Sequence, residues 1–183
     1  MKIEETALPG VLILTPRRFG DARGWFSESW NRRTLQDAGL HLPDFVQDNH
    51  SFSAAAGTLR GLHYQGPPHA QGKLVRVVQG EVFDVAVDIR RGSPTFGQWA
   101  GAVLSAENRQ QLWIPPGFAH AFLTLSETAE FLYKTTDYYA PECERCIAWD
   151  DPDIGIEWPL DEAPVLSEKD RQGVPLARAE VFE

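Results

Sequence analysis

The sequence predicts an all-β protein, a sandwich or barrel for which a jelly roll is the best fit. Three observations predict this. Residues 82–89 alternate: Phe83, Val85, Val87 and Ile89 share one face while Asp84 and Asp88 fall on the other, the period of a strand with one face in a core. About ten such short runs follow one another, separated by clusters of Gly, Pro, Ser or Asn. Only one segment carries a clear helix pattern.

Taken in order, strands are expected at 11–14, 25–30, 45–51 and 58–62. A helix is expected at 31–38, with Gly39 placed to end it. A Val-rich strand at 73–79 precedes the 82–89 strand, and Gly80-Glu81 reads as a tight hairpin turn between them. Further strands are expected at 98–104, 110–114, 118–125 and 129–136. After Trp149 the chain is rich in Pro and Asp and is expected to wrap the barrel in short turns. Trp99, Trp113 and Trp149 are expected in the core or an interface.

The chain has 183 residues, enough for one domain over 1–183 with a full hydrophobic core. Apolar residues make up 43% and charged residues 23%, as in soluble globular proteins. No apolar run approaches a membrane span, and the acidic start Met1-Lys2-Ile3-Glu4-Glu5 lacks a signal-peptide apolar region. Only Cys143 and Cys146 are present, so a reducing cytoplasm is the expected location. Their Cys-x-x-Cys spacing lacks both the βαβ context of a redox motif and the second pair of a zinc site. A net charge of −9 argues against a nucleic-acid partner, but not against one small anionic ligand held by a few local cations.

The chemistry is concentrated in one stretch. Arg60-Gly61-Leu62-His63-Tyr64-Gln65 and Gln71-Gly72-Lys73 put an imidazole and an ammonium ten residues apart. A base and an oxyanion partner so placed suggest proton abstraction next to a carbonyl, without a cofactor. Pro115-Pro116-Gly117-Phe118-Ala119-His120 matches the Pro-x-Gly-x-x-His signature of cupin jelly rolls. A metal-binding cupin would carry His-x-His followed by Glu in the earlier motif. Here that region reads His63-Tyr64-Gln65, and Lys73 stands where a ligand is needed, so no metal is expected.

Further segments carry a closer likeness: Asp84-Val85-Ala86-Val87-Asp88-Ile89-Arg90, Ser93-Pro94-Thr95-Phe96-Gly97, Tyr138-Tyr139-Ala140-Pro141-Glu142 and Ser167-Glu168-Lys169-Asp170. With the two motifs above, they make the chain resemble the dTDP-4-dehydrorhamnose 3,5-epimerase family, from near Val11 to just beyond Asp170. The resemblance implies a homodimeric cupin enzyme that epimerises dTDP-4-dehydro-6-deoxy-D-glucose at carbons 3 and 5, with no cofactor. By the same resemblance, His63 is the base, Asp170 its partner, Lys73 the group that stabilises the enolate oxygen, and Tyr133 the proton donor. Arg23 and Arg60 resemble diphosphate and sugar contacts, and Tyr139 the residue stacked on the pyrimidine. Gln47, Asp48 and Asn49 supply polar groups for base and sugar. Glu28, His120, Glu144 and Lys169 align with further ligand contacts. Ala121 stands where the family often has Gly, a methyl that does not touch the expected base or acid.

By residue type alone, each of these has a plainer reading. His63 fits a hydrogen-bonded structural histidine, Tyr133 a core tyrosine with its hydroxyl at the rim, and Arg23 a solvated loop charge. Ser167-Glu168-Lys169-Asp170 fits a helix capping box. His50 and His69 fit no role. The functional alternatives are an epimerase acting at one carbon only, a non-catalytic nucleotide-sugar binder, and a metal-dependent cupin.

Overall fold

The computed structural model describes residues 1–183. In chain order it comprises β1 (Lys2–Glu5), β2 (Leu12–Thr15), β3 (Arg18–Asp21), β4 (Gly24–Ser27), α1 (Arg32–Asp37), β5 (Gln47–Ser53), β6 (Leu59–Gln65), β7 (Lys73–Gln79), β8 (Glu81–Asp88), β9 (Trp99–Ser105), β10 (Gln111–Ile114), β11 (Phe118–Thr124), β12 (Ala129–Thr135), β13 (Glu144–Cys146) and α2 (Glu168–Arg171). One sheet has the order β1-β2-β10-β7-β12-β5 and the other β13-β6-β11-β8-β9, while β3 and β4 form a separate hairpin. All pairings within the sheets are antiparallel.

The two sheets face each other across one core. Val75, Val77, Leu112, Ile114 and Phe131 meet Val82, Ala86, Leu104, Phe118 and Phe122 there. Full burial of each such large side chain contributes about 1.5–3 kcal/mol. The outer face of the second sheet is covered too. Val85, Val87, Ile89, Ala119 and Ala121 pack under Ile154, Leu176 and Ala179 of the C-terminal segment. Leu14, Leu74 and Trp113, on the outer face of the first sheet, pack with Leu35 of α1, Trp30 and Phe45.

This double cover corrects the simple picture of β8. Its two acidic residues are not on a solvated face. Asp84 and Asp88 are fully buried, because the face opposite Val85 and Val87 is the barrel interior. Gly80-Glu81 is also not the turn of a hairpin. β7 pairs with β10 and β12, and β8 with β11 and β9, so Gly80 (φ +77) turns the chain from one sheet into the other.

The helix forms where expected. Asn31 caps α1 by accepting from the amides of Arg33 and Thr34, and Gly39 follows at φ +82. β1, β3 and β13 were not expected; at three or four residues each they are too short to show a period. The segment after Trp149 wraps the second sheet through α2 and isolated bridges such as Ile147 to Val174 and Arg90 to Phe182. Trp113 is core and Trp99 packs edge-on against Phe83. No helix is long and apolar enough to cross a membrane.

Candidate active site

Strand alternation aims the candidate residues into the barrel. On β6 Leu62 and Tyr64 pack outward, so His63 and Gln65 face inward. On β7 Lys73 shares the inward face of Val75 and Val77, on β11 His120 shares that of Phe118 and Phe122, and on β12 Tyr133 shares that of Phe131. Two adjoining cavities of about 380 Å³ and 400 Å³ result, both lined by His63, Lys73, Tyr133, Glu144 and Lys169. The second is floored by Phe122 and Phe131, stacked with ring centroids 4.1 Å apart. His63 and Tyr133 come from opposite sheets.

His63 Nε2 lies 2.6 Å from Asp170 Oδ1. The carboxylate oxygen stands off the ring N–H axis, so this is a close polar contact more than an aligned hydrogen bond, and Nε2 is otherwise buried without a partner. Asp170 is held from three sides. Its Oδ1 accepts from the Gly61 amide at 3.2 Å, its Oδ2 from Ser167 Oγ at 2.6 Å, and its own amide donates to Ser167 Oγ. The capping arrangement and the histidine contact are therefore both real. Burial pushes the Asp170 carboxyl up, but His63, Ser167 and Gly61 outweigh it and hold the group at about 2. Burial pushes the His63 imidazolium down from 6.5; Lys169 and Lys73 add to this, and Asp170 opposes it. The imidazole is thus neutral at neutral pH.

Gly61 sits at φ +119 and a Cβ there would meet Ala121 Cβ at 2.7 Å. The Ala121 methyl therefore points at Gly61 on the outer face and leaves His120 alone.

Lys73 is pushed down to about 8 by burial, with Glu144 and Asp84 pulling the other way. Asp84 lies in the interior, both oxygens 3.0 Å from His120 Nε2, and the His120 ring lies 6.0 Å from that of Phe131. Burial raises the Tyr133 hydroxyl, as does Glu144, so it stays protonated. Arg60 is fixed by donating to the Phe52 carbonyl at 2.9 Å and Ser53 Oγ at 3.3 Å.

At the outer end, Glu144 takes Lys169 Nζ at 2.7 Å and the Tyr139 hydroxyl at 3.0 Å. Gln47 accepts from the Tyr139 amide and donates to Asn49 Oδ1. Eleven of the fourteen expected site residues line these two cavities; Asp48, Arg23 and Glu28 do not join the others. Asp48, between Gln47 and Asn49 on β5, turns to the other face and pairs with Lys134 at 2.8 Å. Arg23 is an exposed hairpin residue bound to Asp21 at 2.6 Å. Glu28 binds Asn31 and Thr34 at the start of α1. Conversely, Gln65, Gln71, Asp84, Phe131 and Ser167 line or brace the cavity and were missed as site residues. Asp84 had a signal in its position on a strand, as an acidic residue two before Ala86, but only its burial gives it meaning. His50 and His69 pair with Glu130 and Asp137. Cys143 and Cys146 are free thiols, and burial pushes Cys146 up to about 12, away from nucleophilic reactivity.

A family model described as dTDP-4-dehydrorhamnose 3,5-epimerase matches residues 5–178. The chain belongs to this family. It is an epimerase, and so an isomerase. It is 64% identical to the dTDP-4-dehydrorhamnose 3,5-epimerase of Pseudomonas aeruginosa, with 100% of this chain and 99% of that one covered. A crystal structure of dTDP-6-deoxy-D-glucose-3,5-epimerase from Legionella pneumophila Philadelphia 1, in complex with dTDP-4-keto-L-rhamnose, matches with a TM-score of 0.92 at 50% identity, over 98% of this chain and 94% of that one. A 3'-monoepimerase from Streptomyces bikiniensis in complex with dTDP-quinovose matches with a TM-score of 0.86 at 37% identity, over 95% and 87%. The epimerase thus has the cupin-type jelly roll that its strand pattern and Pro-x-Gly-x-x-His motif predict.

Proposed function

We propose that this epimerase converts dTDP-4-dehydro-6-deoxy-D-glucose to dTDP-4-dehydro-L-rhamnose by inverting carbons 3 and 5. The observation that carries the mechanism is the opposition of His63 and Tyr133 across one cavity, with Lys73 on its wall. Both reacting carbons flank the carbon-4 ketone. His63 removes the proton, the electron pair moves to the ketone oxygen, and Lys73 stabilises the enolate. Tyr133 returns a proton from the opposite face, which inverts the centre. Asp170 faces Nε2, so Nδ1 is the nitrogen left to accept the proton, and Asp170 stabilises the imidazolium. Lys73 contributes roughly 10²–10³-fold, by analogy with one oxyanion donor.

Arg60, His120 and Lys169 hold the sugar and diphosphate, and Tyr139 stacks on the pyrimidine beside Gln47, Asn49 and Glu144. Arg23 and Glu28 lie on the β3–β4 hairpin and just after it, outside the cavity. Phe19, Trp25 and Phe26 of this hairpin are half or more exposed. We read the hairpin as reaching the cavity of a second copy, which makes the working unit a homodimer. Sedimentation showing a monomer at catalytic concentrations would remove that reading. No part is assigned to Asp48.

The test is exchange in heavy water, located by proton NMR on the substrate, with no added metal or nucleotide cofactor. Label at carbons 3 and 5 with formation of the L-lyxo product supports the proposal. Label and inversion at one carbon gives the second reading, a single-carbon epimerase, which the likeness to a 3'-monoepimerase favours and the 64% identity to a 3,5-epimerase opposes. Bound dTDP with no label at either carbon overturns the mechanism.

The pH profile of kcat/KM is expected to be a bell. A protonated His63 is inactive, and its pKa is lowered, so activity rises with pH through a value below 6.5. It falls again as Lys73 loses its charge around pH 8, because the neutral amine no longer stabilises the enolate. A profile flat across both values contradicts these two assignments.

A further inference from the structure

We propose a second property of this centre: His63, Cys146 and Asp170 form a binding site for one thiophilic divalent cation such as Zn²⁺, and its occupancy switches the epimerase off. The site rests on two placements and the distances that result from them. Cys146 on β13 is the Cα partner of His63 on β6. The cap of α2 delivers the Asp170 carboxylate to the same point. A ring nitrogen of His63, Cys146 Sγ and a carboxylate oxygen of Asp170 all lie within 4.8 Å of one another, and the nitrogen that faces Asp170 is Nε2.

The geometry suits a tetrahedral ion. Zn–N, Zn–O and Zn–S bonds of about 2.0–2.3 Å put ligand atoms roughly 3.3–3.6 Å apart. The His63–Asp170 contact of 2.6 Å has to open by about 0.7–1.0 Å, and a separation at the 4.8 Å limit has to close by about 1.2–1.5 Å. His63 Nε2 is a buried nitrogen with no aligned hydrogen-bond partner, so the ion displaces no good bond there. The Cys146 thiol, which burial keeps protonated, loses its proton to solvent only as the ion coordinates it, and the resulting thiolate and the Asp170 carboxylate then supply two negative charges against the dication. Lys73 and Lys169 oppose the ion, Glu144 favours it, and water takes the fourth position.

Inhibition follows from imidazole chemistry. A neutral imidazole that gives its Nε2 lone pair to a metal carries its proton on Nδ1. Nδ1 then has no lone pair to accept the substrate proton, so the bound ion disables the base without blocking the cavity. This step rests on the assignment of His63 as base; the existence of the site does not.

The experiment separates the two. Metal-free protein is titrated with Co²⁺, and the thiolate-to-cobalt absorption band is followed; substrate deuterium exchange is then measured against Zn²⁺. The expected result is a one-to-one thiolate band, loss of exchange with Zn²⁺, and recovery with a chelator. Cys146→Ser, outside the catalytic set, is expected to keep exchange near the parent rate, lose the band, and raise the Zn²⁺ concentration for half-inhibition by at least about tenfold. Cys143→Ser, whose thiol lies against the Pro67 carbonyl instead, is expected to behave as the parent. No thiolate band, or equal Zn²⁺ sensitivity in Cys146→Ser, overturns the site. A band with undiminished exchange overturns the switch and speaks against His63 as the base.

Discussion

Replacement of His63 by alanine is expected to lower turnover by about 10²–10⁴-fold while dTDP binding stays within a few-fold of the parent. The asymmetry follows from where the imidazole sits. It faces the junction of the two cavities, beside Lys73 and Tyr133, whereas Gln47, Tyr139 and Glu144, the groups proposed to meet the nucleotide, are held by one another. Removing the ring therefore takes away the proton acceptor and leaves that end intact. Asp170 remains charged, tied to Ser167 and the Gly61 amide, so the cap of α2 survives the loss of its histidine. Turnover and calorimetric dTDP binding measured on one preparation decide the matter. Residual activity within tenfold of the parent removes His63 as the base.

Tyr133→Phe is expected to separate the two halves of the reaction. Loss of the hydroxyl leaves His63, Asp170 and Lys73 in place, so the substrate still surrenders its proton and exchanges with heavy water. Inversion fails, because the acid that protonates the opposite face is gone. The change is also structurally mild: the ring packs beside Phe131 at a centroid distance of 6.1 Å, and phenylalanine keeps that contact. Deuterium uptake without the L-lyxo product is the expected signature. Unimpaired epimerisation in this variant sinks the assignment of the acid, and loss of exchange as well means that Tyr133 serves proton removal instead.

The two substitutions also show which parts of the site were readable without coordinates. His63 and Lys73 stand in short motifs close together, and the strand period at 73–79 put Lys73 in phase with Val75 and Val77. Gln47 and Asn49 share a phase on β5, and the same alternation excludes Asp48 between them, a consequence the polar run Gln47-Asp48-Asn49 hid. Asp170 was legible twice, as a cap residue and through the family likeness; that it does both needed the fold. Arg23 and Glu28 are the opposite case. Family likeness marks them, yet in one chain they lie away from the cavity, on and just after the β3–β4 hairpin.

The largest miss in the fold was the Gly80-Glu81 turn. A glycine between two β runs signals a tight reversal in a hairpin and a corner between sheets equally well, since both need φ above zero at that residue. Burial of Asp84 was missed for a related reason. An acidic residue opposite an apolar face normally means solvent, and only the second sheet and the His120 ring make an interior carboxylate tolerable.

What the sequence by itself determined is therefore everything carried by neighbours along the chain: the strands with a clear period, the helix ended by Gly39, the Ser167 capping box, the cupin motif and the pairing of an imidazole with an ammonium. Periodicity and capping are interactions within a few residues, so they are written locally. The tertiary structure alone decided which strands pair, that both faces of β8 are covered, and that Asp170, Cys146 and His63 converge from distant segments. Pairing of strands is chosen by the mutual fit and burial of whole faces, a long-range competition that no single segment records.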